Sequence, residues 1–363
     1  MMKHITCFIT SLSSGGAERQ LTILTDMLKN KGYVVDIVTF ADVPDHYGVH
    51  KEVKRVRLAE NKHPILKFLT IFWYFIRLKS DVVISFGQRE NVFALIPLLF
   101  RPNIKMIAGE RNLTVDSQTL YEKLLFSFLY KRANYVVPNS FSQRRYIIEK
   151  KPGFENKVVT ITNYTDLEHY SFTQSPNSEV PRIGVFCRYA AQKNYAFFAL
   201  MLKILKEKGY KLKVDWYGNK TYKNSAINSE YLNFSKLIID YDISDMISLN
   251  DHVKDVRALM SHFDAVCVPS LREGWSNSIS EGICCGKPML VSDISDNSVM
   301  VLDGENGFLF SPTDINQMCD AFIKFINLTT PEKERMAKNS RNRAEVLFNS
   351  EKFIENYIDL IEK

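Results

Sequence analysis

Two glutamates stand eight positions apart in Leu271-Arg272-Glu273-Gly274-Trp275-Ser276-Asn277-Ser278-Ile279-Ser280-Glu281, directly behind the strand-like run DAVCVPS. The Gly/Ser/Asn turn between them opens a helix. A helix start presents unpaired N–H groups and the positive end of the dipole, a setting that favours phosphate oxygens. Glu281, about two turns into that helix, can accept hydrogen bonds from a ribose diol, and Glu273 from the hydroxyls of a sugar. The same spacing also suits Ser276 as a plain helix cap between two surface carboxylates. Spacing alone leaves both readings open. Other candidates follow other strand-like runs: Gly15 and Gly16 behind HITCFIT, Arg188 and Lys193 behind RIGVFC, Glu110 and Arg111 at the end of IKMIAGE, and His252 beside Asp251 behind ISLN. Each taken singly also reads as a strand-to-helix turn, a solvated cation or a polar loop residue.

These residues need a scaffold, and the chain supplies a repeating one. HITCFIT is followed by GGAERQLTILTDMLKNKGY, with Leu21, Leu24 and Leu28 at helical spacing, and then by VVDIVTF. A helical stretch from about His63 to Lys79 precedes DVVISFG; IKMIAGE, a helix from about Ser117 to Arg132, and NYVVPNS complete the first half. The polar segment SFTQSPNSEVP (171–181), with two prolines and no hydrophobic period, reads as a linker. The alternation then restarts with RIGVFCR, a helix over 194–208, KLKVDWYG, ISLNDHV, DAVCVPS, a helix from about Ser278 to Cys285, and KPMLVSD. Repeated βα units make parallel sheets with right-handed crossovers. The expected fold is α/β, with two doubly wound Rossmann-like domains, 1–172 and 182–345, facing a central cleft. A helix over 346–363, with Phe353, Tyr357, Leu360 and Ile361 on one face, is expected to cross back to the first domain. Ligands of such sheets bind at the carboxyl ends of the strands, where all the candidates above lie.

Composition narrows the function classes. With 363 residues, 45% hydrophobic and 24% charged, the chain is neither disordered nor low in complexity. Its six cysteines include no C-x-x-C pair and are expected to be reduced thiols. No apolar run reaches the roughly 18 residues of a spanning helix, and the N-terminus has no secretory pattern, so a cytoplasmic location is expected. The net charge of +6 is uneven: residues 51–150 hold 18 basic and 8 acidic residues, while residues 181–363 hold 23 and 24. A one-sided basic region implies an anionic partner. ILKFLTIFWYFIRLK (65–79), with Lys62, Lys67, Arg77 and Lys79 at its margins, reads either as a helix buried on one side or as an interfacial helix gripping an anionic leaflet or a lipid diphosphate. Its aromatics sit in hydrophobic runs rather than among cations, and no nucleic-acid partner is expected.

Glu273-(seven residues)-Glu281 with its internal Gly274-x-Ser276, continuing to Gly286-x-Pro288, resembles the signature of glycosyltransferase family 4, retaining enzymes of the two-domain GT-B fold. Four further stretches resemble family elements in the same order: Ser14-Gly15-Gly16-Ala17-Glu18-Arg19 (the first loop), Asn163-Tyr164-Thr165-Asp166 (before the linker), Arg188 to Lys193-Asn194, and Gly304-x-Asn306-Gly307. The resemblance covers almost the whole chain. It implies a metal-independent enzyme moving a hexose or N-acetylhexosamine from a nucleotide sugar, UDP-linked, to a glycan-lipid or surface-polysaccharide precursor such as lipopolysaccharide or capsule. Such a bacterial enzyme would sit peripherally on the inner face of the cell membrane. It also implies that Arg188 and Lys193 clamp the diphosphate and neutralise the leaving group. Glu281 would hold the ribose and Glu273 the donor sugar, with the N–H groups of Gly274, Trp275, Ser276 and Asn277 near the phosphates and His252 near the base. Gly15 and Gly16 would let a loop of the first domain approach the diphosphate. No metal or other cofactor is expected.

The sequence departs from the family in one place that bears on mechanism. Gly109-Glu110-Arg111-Asn112 stands where many members have a His, and with Ser85-Phe86-Gly87 and Asn91 it is similar to a subgroup that extends lipid-linked or surface glycans. The resemblance implies that Arg111 steadies donor phosphate or acceptor and that Glu110 orients it. Without a carboxylate nucleophile, retention implies same-face attack, the departing phosphate oxygen taking the acceptor's proton. Asp240-Tyr241-Asp242 resembles the metal–diphosphate motif of the other common glycosyltransferase architecture, but its polar surroundings read as a loop or helix end. A nucleotide-sugar epimerase of the same fold and an inactive sugar-nucleotide-binding protein are the alternatives.

Overall fold

The computed structural model describes every residue except 1, 14, 59–62, 112–119, 222–225 and 254. Ser14, Lys62, Asn112 and Ser117, named above, lie outside the described residues. The chain divides into two compact units, one comprising Met1–Tyr164 and Ser350–Lys363, the other Thr165–Asn349.

Unit 1 contains β1 (His4–Ile9), β2 (Val34–Thr39), β3 (Lys54–Arg57), β4 (Val82–Phe86), β5 (Lys105–Glu110) and β6 (Tyr135–Pro138). They form one parallel sheet in the order β3-β2-β1-β4-β5-β6, so the strand order reverses between β1 and β4. β4, VVISF, is buried at all five positions, as a strand covered on both faces must be. Phe8, Phe75, Leu95, Met106 and Val136 join the sheet and its helices in one core. The last helix, Ser350–Glu362, buries Phe353, Ile354, Tyr357, Leu360 and Ile361 along one face. Its carboxyl end carries the negative end of the dipole, and two amines of unit 1 meet it. Lys3 Nζ donates to the Ile361 carbonyl at 2.7 Å, and Lys105 Nζ to the same carbonyl at 2.9 Å.

Unit 2 contains β7 (Arg182–Phe186), β8 (Lys213–Tyr217), β9 (Ile247–Asn250), β10 (Ala265–Val268), β11 (Met289–Ser292) and β12 (Gly307–Phe310). The order is β12-β11-β10-β7-β8-β9, again parallel, and the reversal lies between β7 and β10. Trp216, Phe198, Phe234 and Phe322 fill its core.

Several elements depart from the sequence reading. β3, KRVR, is a four-residue edge strand whose charges mask it. The stretch up to Arg132 is a helix Leu120–Leu124, a π-turn Leu125–Leu129 and a short helix Tyr130–Arg132. The helix Thr330–Leu347, closed at its start by a capping box of Thr329 and Glu332, has too few apolar positions to show a period.

The segment 171–181 lies within unit 2 and is hydrogen-bonded to its other elements. Thr173 N donates to the Cys285 carbonyl at 3.0 Å, and Ser178 N to Asp264 Oδ1 at 3.4 Å. Gly286 has φ +70°, and a Cβ there would strike the Phe172 ring, so Gly286-x-Pro288 is a turn that only glycine can begin. Beside it the fully buried Lys287 donates from Nζ to the Gln174 carbonyl at 3.3 Å; burial pushes this ammonium down to about 8.

Candidate functional site

The reversal between β7 and β10 leaves room at the carboxyl ends of these strands for a ligand, and two loops meet there. After β7 the chain makes a short 3₁₀ turn, Ala191–Lys193, and Asn194 takes the left-handed conformation (φ 59°) before the helix Tyr195–Glu207. The loop after β10 lies against it: Leu271 N donates to the Gln192 carbonyl at 2.8 Å, and Gln192 Nε2 returns a bond to the Arg272 carbonyl at 2.8 Å. Across this seam Lys193 Nζ pairs with Glu273 Oε1, which also accepts from Ser270 Oγ at 2.7 Å. The two side chains are only 12% and 13% exposed, so cation and carboxylate hold each other in a partly desolvated, neutral pair. Arg188, on the same loop, is exposed.

The helix Asn277–Cys284 starts beside this pair. Ser276 occupies the N-cap position but its side chain makes no capping bond, so it does not consume the first-turn N–H groups. Ser278 Oγ donates to the Phe186 carbonyl at 2.6 Å and fastens the helix start to the end of β7. Because the helix begins at Asn277, Glu281 is its fifth residue, little more than one turn in rather than two. Glu281 is buried, and Tyr170 donates to its Oε1 at 3.1 Å. Gly274 is half-buried, and Trp275 is buried with an indole N–H that has no hydrogen-bond partner among the described residues. His252 is exposed after β9, its N–H bonded to Asp251 Oδ1 at 2.8 Å. That bond and one from Lys220 N hold the Asp251 carboxyl below its usual range. Asp240 and Asp242 stand elsewhere, at the exposed end of the helix Ser229–Asp240 that leads into the amino end of β9, with Lys206 Nζ 3.2 Å from Asp242 Oδ2.

Unit 1 repeats the geometry with different chemistry. Gly15 is the extended N-cap of the helix Gly16–Asn30, and the Glu18 carboxylate lies where a Gly15 Cβ would be. Across the β1–β4 reversal, Thr10 Oγ1 donates to the buried Glu90 and accepts from Arg89 Nη2 at 2.5 Å. Burial raises the Glu90 pKa, outweighing the adjacent Arg89. Glu110, the last residue of β5, is buried, receives Tyr130 Oη and lies 3.4 Å from Asn91 Nδ2. Burial pushes its carboxyl up to about 8, against the pull of a hydrogen bond from Gln88.

Glu110 shares no hydrogen bond with Arg111, although the Arg111 charge acts on its carboxyl. Successive residues leaving a strand point to opposite faces, and Arg111 is held instead by Asn163 Oδ1 at 3.2 Å and Tyr357 Oη at 2.7 Å. Its guanidinium lies 3.6 Å from the centre of the Phe86 ring. Sequence reasoning missed Tyr170, Tyr130, Tyr357, Thr10 and Glu90. The Asn163-x-x-Asp166 motif lies near Tyr170, Asn91 is next to Glu90, and Tyr357 was read only as part of an apolar face, because a tyrosine hydroxyl that finishes a site carries no spacing signal.

Two parallel sheets, each with its ligand loops at the strand reversal, define a two-domain GT-B fold. A glycosyltransferase from Rickettsia africae superposes with a TM-score of 0.82 at 15% identity, covering 99% of this chain and 98% of that one. Anabaena HepE, solved in complex with UDP and glucose, gives 0.83 at 17% identity over the full length of both. Residues 14–169 match the profile of Glycosyltransferase Family 4, and residues 168–343 that of Glycosyl transferases group 1. The chain belongs to this glycosyltransferase family and is an enzyme of that class. Among its relatives, the Campylobacter jejuni N-acetylgalactosamine-N,N'-diacetylbacillosaminyl-diphospho-undecaprenol 4-alpha-N-acetylgalactosaminyltransferase is 22% identical over 94% of each chain. The Staphylococcus aureus capsular polysaccharide biosynthesis glycosyltransferase CapM is 24% identical over 82% of this chain and 79% of its own.

Proposed function

We propose that this glycosyltransferase moves a hexose or N-acetylhexosamine, with retention and without a metal, from a UDP-sugar to a glycan-lipid or surface-polysaccharide precursor. The observation that carries the reading is the Lys193–Glu273 pair at the β7–β10 reversal, beside the start of the helix Asn277–Cys284. An arriving diphosphate competes for the Lys193 ammonium, helped by the exposed Arg188, and so frees Glu273 for the sugar hydroxyls. The N–H groups of Gly274 to Asn277, leading into the helix start, supply donors for the same charge. In the transfer the C–O bond from the anomeric carbon to phosphate breaks and a C–O bond to the acceptor forms on the same face. The acceptor's proton passes to the departing phosphate oxygen, and the cations stabilise the charge left on the diphosphate.

The acceptor side of the reading draws on the names of the relatives and on the surface of unit 1. No helix among the described residues is long and apolar enough to cross a membrane. The helix Pro64–Ile76 buries only Ile71 and Phe75, while Ile65, Leu66, Leu69 and Trp73 are exposed. Phe100 is exposed beside Phe72, and Lys67, Arg77 and Lys79 border the patch. A surface of this composition suits the headgroup region of an anionic bilayer.

A thermal-shift panel of UDP-, GDP- and ADP-sugars, run with and without EDTA, tests the donor. Stabilisation by UDP-sugars, unchanged by chelation, is expected; a shift only with another base, or one abolished by EDTA, overturns that part. Product anomeric configuration read by NMR tests retention. Sedimentation with anionic against zwitterionic vesicles, comparing wild type with Trp73→Ala, tests the membrane contact.

A further inference from the structure

Tyr170 connects the donor carboxylate to the segment where unit 2 begins. Asp166 builds the turn that presents it: Asp166 Oδ1 accepts from Glu168 N at 2.9 Å and His169 N at 3.1 Å, and the Asp166 carbonyl accepts from Tyr170 N at 2.9 Å. Arg341 locks that turn onto the helix that carries Glu281. Its Nη1 donates to the carbonyls of Leu167 at 3.2 Å, Tyr170 at 2.9 Å and Cys284 at 2.8 Å. Tyr170 is 5% exposed, and its hydroxyl lies 3.1 Å from Glu281 Oε1. A glutamate side chain has three rotatable bonds, and a donated hydrogen bond to one oxygen selects among its rotamers.

We infer that Tyr170 is a positioning residue for nucleotide recognition: its hydroxyl fixes the Glu281 carboxylate in the rotamer that meets the ribose 2′- and 3′-hydroxyls, and Arg341 fixes Tyr170. The inference rests on the reading of Glu281 as the ribose acceptor. Tyr170 touches neither sugar nor phosphate in this scheme. Its contribution therefore exists only when the ligand has the hydroxyl that Glu281 accepts.

That condition supplies the test. Calorimetric affinities of wild type, Tyr170→Phe, Arg341→Gln and Glu281→Gln are measured for UDP against 2′-deoxy-UDP, and for GDP and ADP against their 2′-deoxy forms. Wild type should prefer the ribose form by about tenfold, the size of a hydrogen bond to a charged group. In Tyr170→Phe and Arg341→Gln the preference should fall to about twofold, with affinity for the deoxy form unchanged. A merely structural role would weaken both forms equally and leave the ratio intact, overturning the inference. If Glu281→Gln keeps the wild-type ratio, the ribose reading itself fails. Loss of the ratio in Glu281→Gln alone, with Tyr170→Phe and Arg341→Gln like wild type, overturns only the role of Tyr170. Failure of wild type to bind any of the six diphosphates would overturn the donor-site reading.

Discussion

The two units each have six parallel strands and a reversal of strand order beside their first strand, yet the loops at these reversals carry different side chains. At the β7–β10 reversal Lys193 pairs with Glu273, Arg188 stands exposed on the same loop, and a helix start without a side-chain cap lies next to the pair. The β1–β4 reversal carries Glu18 and the buried Glu90, and the next strand ends in the buried Glu110. One scaffold thus carries a part-buried lysine–carboxylate pair beside an exposed arginine in unit 2, and buried carboxylates beside Arg89 in unit 1. The difference lies in a few loop residues and not in the fold. Whole-half charge suggests the reverse, since the basic excess lies in residues 51–150. In unit 1 some of those cations stand at the loops, Arg89 beside Glu90 and Arg111 after β5, while others are on separate surfaces, such as Arg77 over Trp73 on the exposed helix.

The comparison breaks most directly in unit 2. Lys193→Ala and Glu281→Ala should each lower donor turnover by roughly two to three orders of magnitude, with circular dichroism unchanged. Near-wild-type rates in both purified variants would remove the anion-binding role from this half. A comparable effect, on stability, separates the carboxylates of unit 1. With its pKa raised to about 8, native Glu110 keeps a proton that the unfolded chain has lost, so this group's contribution to stability falls as pH rises from about 4.5 to 8. Glu110→Gln keeps the hydrogen-bonding shape without titrating. Thermal unfolding of the variant should lack that decline, a difference on the order of 4 kcal/mol between pH 4.5 and 8; parallel pH profiles would show that Glu110 is ionised at no such cost. A smaller effect on stability concerns Lys287. Its pKa is depressed, so the unfolded chain binds the proton more tightly and stability should rise as pH climbs from about 8 towards 10.5. Lys287→Met should abolish that rise, a change on the order of 3 kcal/mol, and an unaltered alkaline profile would mean that this amine titrates alike in the folded and the unfolded chain.

Much of the scaffold was legible because parallel strands buried on both faces are continuous apolar runs, as in VVISF, and their crossovers follow a regular rhythm. The elements that escaped were those whose residues look outward: KRVR at a sheet edge and the charged helix Thr330–Leu347. In the site, Glu273, Lys193 and the helix start were marked by their resemblance to family motifs, since spacing alone left each with a plain structural reading. The partners that orient them come from distant sequence. Tyr170 is 111 residues from Glu281, and Tyr357 is 246 residues from Arg111; no local pattern links such pairs. The segment 171–181 looked like a free linker because its bonds to the rest of unit 2 are made by backbone groups, as from Thr173 and Ser178, and composition does not register them.

The returning helix Ser350–Glu362 sets an order of assembly on the ribosome. Unit 2 is one continuous stretch, whereas unit 1 waits for its final fourteen residues, 350–363, made after all of unit 2. Until they emerge, Arg111 lacks Tyr357, and Lys3 and Lys105 lack the carbonyls of Leu360 and Ile361. At synthesis rates of roughly 5–20 residues per second, the nascent chain carries an unfinished first unit for on the order of ten seconds or more. The half made first is therefore the half completed last.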